Sequence, residues 1–133
     1  MQQEKKFYLG DGENKVLLVF NLNVMAEIQG KYTSVTKWSE LMDDADGERN
    51  GEPDMTAFLT GFSFMLNEGV DIENDTRKPE EQKQPYTVKQ VGRLVAQWGQ
   101  AEVADAMRNA VTSSTDTGED TKNVSSETKT TTA

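Results

Sequence analysis

The stretch "MTAFLTGFSFMLNEG", from Met55 to Gly69, constrains the fold more than any other part of the chain. Met55, Phe58, Leu59, Phe62, Met65 and Leu66 recur at intervals of three and four, which at about 100° per residue gathers them into a sector of about 120°. So broad an apolar stripe is stable only with other elements laid along it. The pattern begins after Asp54, and Gly69 is the expected stop. The same helix carries a second, narrower stripe. Taking Met55 as zero, Phe64 falls at about 180°, Ala57 at about 200° and Gly61 at about 240°. Two readings of this stripe follow. Either the helix is central and both its sides are packed inside one domain, or Ala57, Gly61 and Phe64 form a shallow seat for another helix. In the second reading the three are partner-binding residues, and the visitor is a second copy of the chain, giving a homo-oligomer, or a different protein.

The elements that could supply cover are legible around this helix. Residues 5–9 and 15–22 are aromatic and β-branched runs separated by "GDGEN", a cluster suited to a tight turn, so they read as a β-hairpin. Apolar residues are nearly continuous in "KVLLVFNL", which predicts a strand covered on most of both faces. Asn23 can cap a helix bearing Met25, Ile28 and Tyr32, with Gly30 marking a kink or turn, and Ser34 can cap another bearing Val35, Trp38, Leu41 and Met42. After the central helix, residues 70–86 contain Pro79, Pro85 and a charged run, and read as a long exposed connection. Thr87 and Gln90 have capping-box spacing ahead of Val88, Val91, Leu94, Val95 and Trp98, and a last helix over about residues 100–111 presents Val103, Met107, Ala110 and Val111. The expected fold is mainly α with a short N-terminal β-hairpin, a small single-domain helical bundle over residues 1–111. From Thr112 to Ala133, 8 Thr and 4 Ser fill 12 of 22 positions. A segment so poor in apolar surface cannot offset its ordering entropy, and residues 112–133 are expected to be a disordered polar tail.

Composition narrows the chemistry. A chain of 133 residues without a single cysteine or histidine has no disulfides, no thiolate or imidazole catalysis, and none of the usual zinc or haem ligands. Twenty-three acidic against fourteen basic residues give a net charge of −9, so a nucleic-acid backbone is repelled unless a basic patch intervenes, and the short basic runs Lys5-Lys6 and Arg77-Lys78 are each flanked by acid. The N-terminal sequence lacks the apolar core of a signal peptide, and no stretch nears the roughly 20 apolar residues of a membrane span, so a cytoplasmic protein without a membrane role is expected.

Oxygen-rich residues crowd the segment 43–54, "DDADGERNGEPD". Placing Gly47 at the sixth position of a calcium loop puts Pro53 at the twelfth, and placing Gly51 there puts Ala57 at the twelfth, so neither register ends on the required Glu. A solvated loop without metal is expected. Gly10 and Gly12 lack the third glycine, lysine and helix start of a phosphate loop. Serines are plentiful, but no base is available to activate one. The chain is therefore expected to have no catalytic residues, no metal and no cofactor.

The hairpin, "FNLNVMAEIQGKYTSVTKWSELM", the "FLTGFSFML" helix, the capped "YTVKQVGRLV" segment and the polar tail together resemble the tail assembly chaperones of long-tailed (siphovirus-type) bacteriophages over residues 7–111. The likeness rests on layout: Phe20 ending a strand, Ile28 and Tyr32 on the next helix, Trp38 to Met42, then Phe58 to Leu66. It implies a small, mostly helical, non-enzymatic protein in the host cytoplasm. Such proteins coat the helical tape-measure protein, keep it soluble, help bring tail-tube protein subunits to it, and are absent from the mature virion. Many are also made in a longer form by ribosomal frameshifting. The competing expectation, from charge alone, is an acidic inhibitor or DNA mimic that occupies a nucleic-acid site on a host enzyme.

Overall fold

The computed structural model describes residues 7–10, 12 and 15–119, and the expectations for residues 1–6 and 120–133 lie outside them. Two strands, β1 (Phe7–Leu9) and β2 (Val16–Leu18), form an antiparallel hairpin with Phe7 opposite Leu18, Tyr8 opposite Leu17 and Leu9 opposite Val16. Five α-helices follow among the described residues: α1 (Leu22–Tyr32), α2 (Val35–Asp43), α3 (Met55–Asn74), α4 (Val88–Trp98) and α5 (Gln100–Glu119). The protein is mainly α with an N-terminal hairpin, in one small domain, as the sequence predicts. No helix among the described residues is long and apolar enough to cross a membrane.

Helix α3 is the axis of the molecule. It touches β2, α1, α2 and α4, while α5 closes the far side over the hairpin and α4. Phe58, Phe62 and Met65 are fully buried along it, joined by Val24 and Ile28 from α1, Val91 from α4, and Val103 and Met107 from α5. All but Val24 are stripe positions read from the sequence; on α1 the buried pair is Val24 and Ile28, with Met25 and Tyr32 only partly covered. The hairpin is covered on both faces, since the neighbouring residues Leu17 and Leu18 point opposite ways and both are buried.

Several boundaries differ from expectation, each for a visible reason. Strand β2 ends at Leu18 because the next amide, Val19 N–H, donates to the Met65 carbonyl of α3 at 3.3 Å rather than continuing the ladder. The cap of α1 is therefore Asn21 rather than Asn23, its Oδ1 accepting from Val24 N–H at 3.1 Å. Gly30 stays inside α1, and the chain breaks instead at Thr33, with φ 78°. Nor does Gly69 end α3. A Cβ there would collide with the Leu17 carbonyl oxygen of β2, so the glycine marks where a strand's backbone lies directly on the helix. Helix α3 consequently runs on to Asn74, and Val70 is buried rather than part of the connection. The caps at Ser34 and Thr87 stand where the sequence puts them, Asp54 caps α3 with its Oδ1 accepting from Ala57 N–H at 2.9 Å, and Thr87 and Gln90 complete both halves of the capping box, at 3.2 and 2.8 Å.

Helix α5 continues through residues 112–119, which the composition assigns to the tail. Once its buried stripe of Val103, Met107 and Ala110 has nucleated a helix, each added Ser or Thr costs only its own propensity, about half a kcal/mol relative to Ala, and propagation can continue. On α4, Val91 and Val95 are buried as expected, whereas Val88, in the first turn, is exposed.

Paired glycine substitutions test the close approach of β2 to α3. Gly69→Ala should cost about 1–3 kcal/mol, because the atom in the way is main chain and cannot step aside. A Cβ on Gly30 meets nothing within 4 Å, and Gly30→Ala should be stabilising by about 0.5–1 kcal/mol. Urea unfolding of the two variants measures both signs.

Candidate functional site

The second stripe on α3 is largely filled from within the chain. Trp38 of α2 lies across it: the indole Nε1–H donates to the Ala57 carbonyl at 3.0 Å, and a Cβ on Gly61 would stand 2.5 Å from Cζ2 of the same ring. The indole is also stacked on Phe20, with centroids 6.5 Å apart and planes 18° from parallel. Small residues do make a seat here, then, and the aromatic that sits in it is the protein's own. Ala57 and Gly61 are buried, while Phe64 packs against the core with part of its ring left at the surface. Of the three residues singled out from the sequence, Phe64 keeps a face that a partner could touch.

Beside Phe64 the surface is acidic. One carboxylate oxygen of Glu68, a turn further along α3, accepts from the side-chain amides of both Asn21 and Asn23, at 2.8 and 2.9 Å, tying the start of α1 to α3. Glu27 of α1 has its pKa raised, first by partial burial and then by the charges of Glu68 and Asp71.

The acidic loop between α2 and α3 is organised around a carboxylate that the sequence does not single out. Asp44 is buried and left-handed, with φ 53°, at the C-terminal cap of α2. Its Oδ2 accepts from Arg49 N–H at 2.9 Å and Gly51 N–H at 2.8 Å, and its Oδ1 lies 3.6 Å from the Arg49 guanidinium. Arg49 in turn donates to the carbonyls of Leu41 and Glu52. Asp44 thus faces inward to amide protons, and no cluster of acidic side chains among the described residues has the arrangement of a metal site. The usable signal was the alternation of Asp44, Gly47, Asn50 and Gly51, residues that tolerate the positive φ all four adopt.

Two grooves flank Tyr8, which is 38% exposed. One, of about 580 Å³, runs between β1 and the α4–α5 corner and is lined by Tyr8, Leu9, Trp98, Glu102, Asp105 and Asn109 among others. The second, of about 340 Å³, lies between β2 and the end of α3, where Lys15, Glu73, Arg77, Lys83 and Tyr86 meet. The Lys15 ammonium sits 4.4 Å above the Tyr8 ring, and Arg77 pairs with Glu73 at 3.1 Å. Burial, followed by the nearby Glu73 charge, raises the Tyr86 pKa. The second groove thus brings Lys15, Lys83 and Tyr86 beside a carboxylate that is already paired with Arg77.

Comparison with known protein families, curated proteins and solved structures finds no match. The site is therefore defined by its geometry alone.

Acid titration tests the Asp44 arrangement. The Gly51 amide, more than any other group, holds the Asp44 carboxyl below its ordinary value of 3.8. A depressed folded-state pKa contributes stability that is present above the unfolded value and lost as pH falls through the folded one. The Tm of the protein should therefore drop as pH falls below about 4, and Asp44→Asn should lower the Tm at pH 7 while flattening that acid limb. Thermal scans from pH 7 to pH 2 give both curves.

Proposed function

We propose that this protein is a non-enzymatic assembly chaperone of the kind found in long-tailed bacteriophages, holding an apolar helical segment of the tape-measure protein in the host cytoplasm and helping to recruit tail-tube subunits. In this reading it leaves before the virion is complete, so its grip on the client is reversible. The observation that carries the proposal is the layout of the bundle together with what it leaves uncovered. A hairpin and four helices are wrapped around α3, yet Leu22 and Val88 remain 78% and 73% exposed and Met55 44%, with the edge of Phe64 also at the surface. Scattered apolar side chains are ordinary on any surface. Here they accompany a net charge of −9, which keeps a protein soluble while it carries an apolar client. Helix-in-groove binding of such a client calls on side chains of this kind and on no covalent chemistry.

Co-expression with the tape-measure protein and affinity capture test the reading directly. Recovery of that protein supports it, and recovery of a host nuclease or polymerase in its place would instead establish the acidic-mimic alternative. Phe64→Ala sharpens the test. It should weaken capture by about 1–3 kcal/mol if Phe64 is a hot spot, with less loss of stability than Phe62→Ala, for which full burial implies about 3–5 kcal/mol. A variant that loses stability like Phe62→Ala, with client binding unchanged in the molecules that stay folded, would remove Phe64 from the interface.

A further inference from the structure

We infer that the groove between β1 and the α4–α5 corner binds a cationic side chain, Lys or Arg, presented by a partner polypeptide. Its walls are of two kinds suited to that occupant. Trp98 supplies an aromatic surface, and indole is the side chain on which a cation gains most. Glu102 and Asp105, on successive turns of α5, supply negative charge. Among the described residues no Lys or Arg forms a salt bridge with Glu102, and the partner of Asp105 is Arg108 at 3.0 Å, in a pair whose side chains are 74% and 65% exposed. So exposed a pair is held weakly and can open to an incoming cation. Gln97 and Asn109 add amide oxygens that can accept from a guanidinium or ammonium, and Ala106 leaves the floor low.

The rim carries one more pointer. Tyr8 already holds a cation, the ammonium of Lys15, against its ring, which leaves Trp98 as the aromatic surface for a second. A volume of about 580 Å³ exceeds what one side chain fills, so the occupant is a segment of chain bearing the cation rather than a free ion. In a molecule with a net charge of −9, long-range attraction brings basic segments near, and the groove supplies the short-range contacts that fix one of them. This inference stands without the chaperone reading, since a Lys- or Arg-bearing partner of any function would satisfy it.

The test uses the full chain and two synthetic helical peptides of equal length, one of alternating leucine and lysine blocks and one with glutamate in place of lysine. Trp98 is partly exposed and Trp38 is buried, so quenching of tryptophan emission reports on the groove. The lysine peptide should quench and the glutamate peptide should not. The double substitution Glu102→Gln with Asp105→Asn, at exposed positions on α5 and with retained helix content checked by circular dichroism, should weaken binding of the lysine peptide by about tenfold. Glu27→Gln, which removes a negative charge on a different face, is the control. The inference is overturned if the lysine peptide fails to quench, if both peptides quench alike, or if the control weakens binding as much as the double variant, which is the outcome for attraction by net charge alone.

Discussion

The backbone of β2 rests on the backbone of α3, and the remainder of the molecule is arranged around that contact. A strand and a helix ordinarily meet through side chains, about 10 Å apart. Here Val19 N–H reaches the Met65 carbonyl, and the Leu17 carbonyl occupies the space where a side chain on residue 69 would be. So short a separation draws the hairpin into the bundle, buries both Leu17 and Leu18, and ends the strand after Leu18, which in turn fixes where α1 can start. The cap at Asn21 and the two amides held by Glu68 follow from that placement.

The same economy of space appears at Trp38. An indole is too large to be covered by a ridge of ordinary side chains, and α3 answers with Ala57 and Gly61, giving up its own bulk so that the Nε1 edge of the ring can reach the helix. The polar edge of the indole is satisfied by a carbonyl of the very helix it covers. Asp44 resolves a similar conflict in the neighbouring loop, where a buried charge is acceptable because amide protons and Arg49 surround it.

How much of this the sequence discloses depends on the range of the interaction. Caps at Ser34 and Thr87 are local, involving a side chain and an amide three residues on, and were legible residue by residue. The apolar stripes were legible for the same reason, and they were enough to give the fold class and most of the core. The role of Gly69 was not, since a glycine that ends a helix and a glycine that admits a strand are the same letter. The partner of Ala57 and Gly61 was half legible: the pattern showed a cleared space, while the identity of its occupant depended on how α2 folds back, which periodicity does not encode. Asp44 was hidden among a run of acids for which exposure is the normal state. The groove beside Trp98 joins β1 to α5, segments about 90 residues apart in the sequence, and no local pattern announces such a meeting.

Asn67 and Asn74 stand two helical turns apart on α3, and each grips the returning chain by both of its amide atoms. Asn67 takes the N–H and carbonyl of Tyr86 at 2.7 and 3.2 Å, and Asn74 those of Lys83 at 3.0 and 2.9 Å. Each carboxamide thereby acts as a one-residue stand-in for a neighbouring strand. Because the chain is fastened at both places before α4 begins, the position of α4 does not depend on the residues between Arg77 and Gln82. The exposed residues 78–81 are a closed excursion that can change in length and composition at little cost to the bundle, whereas Arg77, bonded to Glu73 and Asn74, belongs to the fastening. Evolution can use the excursion as a place to add recognition elements, and an experimenter can use it as a place to insert a tag.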